Sequence, residues 1–246
     1  MRKGIFGITV IGVVLAGIVV YAAMRPAPAQ APTSAADTQT PVLLPAGAYT
    51  WQSPAYVIAA NYPTTTPLAS GANEKAIARI QSYVGETISQ FKNKGNAAYP
   101  PSSAKQTLQI KYLVSSSPRT VSYIFTVYEN TLGAHGNLFF HTFTFDTSTG
   151  AELTLADLFA PNTAYLDTLS AISRAQLPGV IGKNSDTGFI TRGTTPEAKN
   201  FENFFIDNGY LDILFDPYQV APYAVGPQTL RIPLATLGAI LNPAYR

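Results

Sequence analysis

The sequence predicts an α+β fold: an antiparallel sheet with helices packed on it, preceded by one N-terminal transmembrane helix. Three observations carry this. Residues 107–146 hold three segments of period-2 alternation, with one face more apolar than the other, the signature of half-buried strands. Residues 73–92 repeat apolar side chains at three- and four-residue steps, the stripe of an amphipathic helix. Gly4 to Met24 is a run of 21 uncharged, mostly apolar residues.

That run comes first in the chain. At about 1.5 Å per residue it matches a hydrocarbon core of about 30 Å, whereas a secretory apolar region is typically about 7–15 residues. Arg2 and Lys3 precede it, so the positive-inside rule keeps the N-terminus in the cytoplasm and exports the rest. Cleavage at Ala27-Pro28-Ala29 or Ala29-Gln30-Ala31 is the rival, and would give a secreted protein. The expected organisation is a membrane anchor at 1–24, a Pro/Ala-rich linker at 25–48 and a folded region from 49 onward.

Tyr56-Val57-Ile58 opens a short strand before Tyr62-Pro63. The helix from Asn73 to Lys92 presents Ile77, Ile80, Val84, Ile88 and Phe91, with Asn73 as N-cap. Strands follow at Thr107–Ser115, Thr120–Glu129 and Leu138–Asp146, the last closed by a Thr147-Ser148-Thr149-Gly150 turn. Thr154 and Asp157 form a capped helix start, and a helix spans Asn162 to Gln176. Gly179 to Gly193 reads as loop. Thr195-Pro196-Glu197 begins a helix that carries Phe201, Phe204 and Phe205. Tyr210–Phe215 and Thr229–Ile232 are strands, and Leu234–Leu241 is a terminal helix.

Composition excludes several function classes. There is no Cys, so a thiol nucleophile, a disulfide scaffold and a Cys-ligated zinc site are impossible. Two His leave little for a His-based metal centre, and neither a metal nor another cofactor is expected. Arg2, Lys3 and Arg25 stand in a leader without acids; taking them from the net charge of +2 leaves −1 for the rest. The remaining Lys and Arg are scattered, so nucleic acid is not an expected partner. No phosphate-cradling Gly-rich motif and no G-x-S-x-G elbow is present.

Gly133-Ala134-His135-Gly136-Asn137 precedes a strand ending in Asp146, a Thr149-Gly150 turn and Leu155-Ala156-Asp157-Leu158-Phe159. Further on come Phe215-Asp216-Pro217-Tyr218-Gln219-Val220-Ala221, Tyr223-Ala224 with Gly226, and Ile232-Pro233. These runs resemble the RsiV C-terminal-like domain family, and place it at 131–246. Tyr62-Pro63 and the amphipathic helix make 49–130 similar to the PdaC-like domain that commonly precedes it. Leu132 departs from the pattern, which often has Gly there. The resemblance implies an extracytoplasmic cell-envelope domain of poorly defined function. In RsiV-like anti-sigma factors this domain senses lysozyme, but no cytoplasmic sigma-binding segment is read here. In PdaC-like proteins it accompanies a polysaccharide deacetylase domain, whose paired-Asp and His-x-x-x-His motif is missing from this sequence.

The expected function is therefore ligand binding at the cell envelope, with cell-wall glycan or a wall-directed protein such as lysozyme as partner and the membrane engaged through residues 4–24. Catalysis is not assigned to any residue. The candidate ligand-binding residues are His135, Gly133, Gly136, Asn137, His141 and Tyr128. An imidazole on a Gly-flanked turn is accessible, and glycine lets a partner approach closely; equally, His135 can simply pin the hairpin, and His141 can be a satisfied ring on an aromatic face. Two alternatives stand beside this reading. One is a wall hydrolase using Asp146 or His135, for which Asp157, Asp212 and Asp216 are further carboxylates. The other is a structural envelope protein. The aromatics, Tyr218 and Tyr223 among them, exceed one core stripe and suit sugar stacking if one sheet face is open.

Overall fold

The computed structural model describes residues 47–95 and 104–246. The expected membrane helix at 4–24 lies outside them, as does the linker up to residue 46. Among the described residues no helix is long and apolar enough to cross a membrane.

Six strands form the larger sheet in chain order: β1 (Ala48–Gln52), β2 (Tyr56–Asn61), β3 (Gln106–Ser116), β4 (Thr120–Asn130), β5 (Asn137–Asp146) and β6 (Glu152–Leu153). The sheet is mixed, which corrects the expectation of an antiparallel one: β2 and β3 run parallel, from Tyr56 opposite Gln106 to Ala60 opposite Ile110. Helix α1 (Ser70–Gly95) lies between them in sequence, and a crossover of that length returns the chain to pair in the same direction. Alternation along a strand reports its two faces but not the direction of its neighbour, so the sequence signal was silent on this point.

Helix α1 covers one face of the sheet. Ala76, Ile80, Val84, Ile88 and Phe91 are buried against Ile58, Leu108, Ile110, Val121, Phe125, Val127, Phe143 and Phe145. The helix begins three residues before Asn73, whose Oδ1 instead accepts from the Thr66 backbone N–H at 2.6 Å and its hydroxyl at 3.0 Å. That pair holds the preceding loop to the helix.

A second, three-stranded antiparallel sheet follows: β7 (Phe204–Asp207), β8 (Tyr210–Phe215) and β9 (Gln228–Pro233). It forms a separate core with α2 (Tyr165–Ile181), α3 (Thr187–Gly193) and the single turn α4 (Leu234–Leu237). Three local expectations are corrected here. The stretch 179–193 is largely helical, because Asp186 caps α3 by accepting from Phe189 N–H at 2.8 Å. Phe204 and Phe205 lie on a strand, and the helix expected there is one 3-10 turn, Ala198–Phe201. The terminal helix stops at Leu237 rather than Leu241.

The second sheet meets the face of the larger sheet that α1 leaves uncovered. Its edge strand β7 has backbone groups that need partners. The larger sheet supplies hydroxyls: Thr142 Oγ1 accepts from Phe204 N–H at 3.1 Å, Thr144 Oγ1 donates to the Phe204 carbonyl at 3.2 Å, and Ser115 Oγ donates to the Ile206 carbonyl at 3.1 Å. Ser122 and Thr144 share a further bond of 2.9 Å and are both buried. Residues that look like a wet strand face are thus a buried polar seam, each hydroxyl satisfied.

The seam covers only half of that face. Cross-strand register sets Gln109, Tyr128 and Leu138 in one row, and Lys111, Thr126 and Phe140 in the next. These side chains are half-buried or exposed. Beyond them Leu113, opposite Ile124, is 73% exposed.

One buried group is poorly served. Asp212 on β8 is 3% exposed, its Oδ2 has no partner among the described residues, and Arg231 Nε stands 3.7 Å from Oδ1. Arg231 is engaged more closely by Asp207 at 2.6 Å. Burial pushes the Asp212 carboxyl up to about 6, against the pull of Arg231. A carboxyl that binds its proton more readily when folded destabilises the fold above that value, and exerts no such penalty below its unfolded value of about 3.9. Asp212→Asn is therefore expected to stabilise the protein at pH 7 by about 1–3 kcal/mol, with the gain vanishing below about pH 4. Denaturant melts of both proteins across that range check it.

Candidate functional site

The turn between β4 and β5 carries the candidate residues. Leu132 takes φ +64°, and its N–H donates to Asn130 Oδ1 at 2.9 Å. The left-handed conformation that glycine would supply is thus held by a leucine with an anchored backbone. Gly133 has nothing within 4 Å of the place a Cβ would occupy, so close approach is not what that glycine serves. Gly136 is different. It is buried, and a Cβ there would overlap the phenol of Tyr128.

His135 is exposed and meets a loop from the second sheet. Its ring stacks on Tyr223, centroids 3.9 Å apart and planes at 21°. Nδ1 lies 2.9 Å from the Gly136 carbonyl, which requires a proton on Nδ1; Nε2, 3.2 Å from the Tyr218 hydroxyl, is then the acceptor in the neutral ring. The Tyr223 hydroxyl also donates to the Gly136 carbonyl, at 2.6 Å. Tyr218 and Tyr223 are 5.3 Å apart, which completes a three-ring cluster.

The loop is positioned from both ends. Asp216 Oδ1 accepts from Phe140 N–H at 2.8 Å, on the edge of β5 where β6 does not pair. Burial raises the Asp216 carboxyl above its usual range; that N–H opposes the shift and the charge of Glu202 adds to it. Gln219 spans the other side, donating to the carbonyls of Gly193 at 3.2 Å and Asn200 at 3.0 Å. Between them Tyr218 takes φ +71° and is 54% exposed. An aromatic residue in the left-handed region, held open to solvent, is a strained arrangement of the kind found at ligand clamps.

The structure thus brings together His135, Gly136 and Tyr128, and adds Tyr218, Tyr223 and Asp216. Asn137 is exposed at the start of β5, opposite Glu129. His141 is separate. It stacks on Tyr83 of α1, centroids 4.2 Å apart, on the core face of the sheet. Burial, with the charge of Arg79, lowers it to about 4, so it is a neutral packed ring at pH 7. No group of three potential metal ligands exists among the described residues.

The other carboxylates have structural partners. Asp146 ends β5, nine residue steps and about 30 Å of strand from the start at Asn137. It is held by Arg119 and by the turn after it. Asp157 closes a capping box with Thr154. Asp146 is thus remote from the turn that carries His135, and Asp216, the carboxylate on the loop that meets this turn, is engaged by the Phe140 N–H. What the geometry offers is a stacked and tilted three-ring cluster beside a half-open sheet face, with Gln109, Lys111 and Thr126 as hydrogen-bonding groups.

These two loops belong to the two sequence runs that carried the family resemblance. Residues 156–235 match the family described as a protein of unknown function, DUF3298. That stretch lies within 131–246, where the sequence resembles the RsiV C-terminal-like family. It is 30% identical over 187 residues to the peptidoglycan-N-acetylmuramic acid deacetylase PdaC of Bacillus subtilis, covering 75% of this chain and 40% of that protein. The chain therefore spans about two fifths of that relative's length. It is also 23% identical over 192 residues to the immunogenic protein MPT64 of Mycobacterium tuberculosis, covering 76% of this chain and 79% of the relative. Two solved DUF3298 family structures share the fold. One from Pseudomonas aeruginosa has a TM-score of 0.55 at 14% identity, covering 83% of this chain and 97% of its own. The other, from Bacteroides fragilis, has a TM-score of 0.52 at 16% identity, covering 80% and 93%.

Tyr218 and Tyr223 lie 83 and 87 residues from the turn atoms they bond, beyond the reach of any local pattern. The available signal was turn chemistry: Asp216-Pro217 before Tyr218, and Gly226, at φ +81°, after Tyr223.

Proposed function

We propose that this protein is a membrane-anchored, extracytoplasmic module that binds cell-wall glycan and does not turn it over. The glycan lies along the uncovered half of the larger sheet, over Tyr128 and Phe140, and its end stacks against His135, Tyr218 and Tyr223. The observation that carries this reading is the three-ring cluster, whose outermost member is exposed in a strained backbone. Sugars present apolar faces to aromatic rings and hydroxyls to amide and hydroxyl groups, and both surfaces are present here. The named substrate class of PdaC supports a wall glycan as the ligand. The hydrolase reading is less favoured because Asp146, the carboxylate it would use, sits at the far end of β5 from the His135 turn.

Co-sedimentation of the full chain with purified, protein-free peptidoglycan tests the proposal. The protein is expected in the pellet, with no soluble sugar released. Recovery entirely in the supernatant overturns it. Pelleting that requires bound lysozyme would transfer the site to a wall-directed protein, and so would also overturn it.

A further inference from the structure

The larger sheet ends on one side at β1, and the case for this edge is independent of the glycan reading. An open edge strand presents unpaired N–H and C=O groups, and proteins blunt it with charge, proline, brevity or a cover. The other edges carry such devices. β6 is two residues long, β7 is met by hydroxyls of the larger sheet, and β9 carries Arg231 and Pro233. β1 reads Ala-Tyr-Thr-Trp-Gln, without a charge or a proline, and four of its five residues are exposed.

Register decides which groups face outward. Tyr62 N–H donates to the Gly47 carbonyl at 3.1 Å, and Ser53 N–H to the Tyr56 carbonyl at 2.9 Å. In an antiparallel ladder, hydrogen-bonded pairs alternate with non-bonded ones. Tyr49 stands opposite Ala60 and Trp51 opposite Ile58, so residues 47, 49, 51 and 53 bond toward β2. Ala48, Thr50 and Gln52 turn their N–H and C=O groups outward, where no partner is found for them among the described residues. These outward groups are symmetric about Thr50. A second copy laid antiparallel, Thr50 opposite Thr50, matches the outward groups of Ala48 to those of Gln52. It also sets Tyr49 beside Trp51 in the closely spaced non-bonded positions, where aromatic pairs contribute most. Trp51 is 50% exposed. Lys92 of α1 lies over both rings, 5.4 Å from the centroid of Tyr49 and 5.1 Å from that of Trp51. A neutral strand meets its own copy without like-charge repulsion, which suits self-pairing.

We infer that β1 pairs with β1 of a second copy of this chain across a two-fold axis at Thr50, joining the two larger sheets into one continuous sheet. Five residues make a small interface, so the dimer is weak and forms at protein concentrations on the order of 100 µM. Sedimentation equilibrium of the full chain in a mild detergent tests this, with wild type expected as a dimer at that concentration. Thr50→Pro removes an outward N–H from each copy and spares the bonds to β2, so association should fall about tenfold or more. Thr50→Lys and Thr50→Glu each set like charges face to face and should weaken association about fivefold. An equimolar mixture of those two variants should associate at least as well as wild type, because residue 50 then faces its opposite charge. Melting temperatures on the same samples report that each variant is folded. Monomeric wild type, unchanged association of folded Thr50→Pro, or a mixture that associates no better than its components would each overturn the inference.

Discussion

Replacing Asp146 by Ala is expected to destabilise the protein by about 3–5 kcal/mol, a large part of the ~5–15 kcal/mol that holds a typical domain. Asp146 Oδ2 accepts from Arg119 at 3.0 Å and from the Tyr245 hydroxyl at 2.9 Å. Its Oδ1 accepts from Ser148 N–H at 2.7 Å, the Ser148 hydroxyl at 2.6 Å and Thr149 N–H at 2.9 Å. The carboxylate thus joins the β3–β4 turn, the turn after β5 and the C-terminal 3-10 turn, and it is 2% exposed. Removing it leaves the buried Tyr245 hydroxyl without its acceptor and Arg119 with only Ser148, and the penalty is greatest for the buried group.

The same bonds set a pH signature. Burial opposes ionisation of Asp146, but the donors from Ser148, Thr149, Arg119 and Tyr245 outweigh it and hold the carboxyl well below the usual carboxylate range. A carboxyl whose folded value is depressed contributes stability above its unfolded value of about 3.9, and that contribution is lost as pH falls toward the folded value. Wild-type stability should therefore fall steeply below about pH 4, and the Asp146→Ala protein should show a shallower acid limb. Denaturant titrations between pH 7 and pH 2 measure both. The direction is opposite to that expected for Asp212, so the two substitutions separate the carboxylate that stabilises the fold from the one that strains it.

The second large effect separates binding from folding. Tyr218→Gly removes the exposed ring of the cluster and also relieves the φ of +71°. Glycine adopts that conformation without the penalty a tyrosine meets, so stability should hold or rise by up to about 1 kcal/mol. Glycan affinity should fall by about tenfold or more, because truncating a central aromatic contact typically costs over 1 kcal/mol. His135→Ala should lower affinity similarly, while also freeing the turn from the Tyr223 stack. A tyrosine serving only the fold would give the reverse: lower stability with affinity intact.

Much of the architecture was legible in sequence because it depends on local periodicity. The three long strands and the amphipathic helix sit within a few residues of where alternation and the apolar stripe put them. Errors arose where tertiary context decides. The parallel pairing of β2 with β3 follows from the crossover through α1, which no strand pattern encodes. Phe204 and Phe205 looked helical after a Pro start, yet Phe204 pairs through its backbone with Thr142 and Thr144. Alternation alone does not tell a solvent-facing hydroxyl from a buried one: Thr144 bonds the edge strand at the Phe204 carbonyl, and Ser122 bonds Thr144. At the site, His135, Gly136 and Tyr128 were readable as a Gly-flanked turn beside a strand. Tyr218, Tyr223 and Asp216 were visible only as aromatic supply and turn residues, because nothing local pairs a loop at 216–226 with a turn at 131–136.

The central claim is that the His135–Tyr218–Tyr223 cluster is a glycan-binding surface. Isothermal titration of soluble peptidoglycan glycan strands into the full-length wild type and Tyr218→Gly, with melting curves on the same samples, tests it most directly. Saturable binding by wild type is expected, and its loss in Tyr218→Gly at an equal or higher melting temperature. Equal binding by the two proteins, or none by wild type, would contradict it.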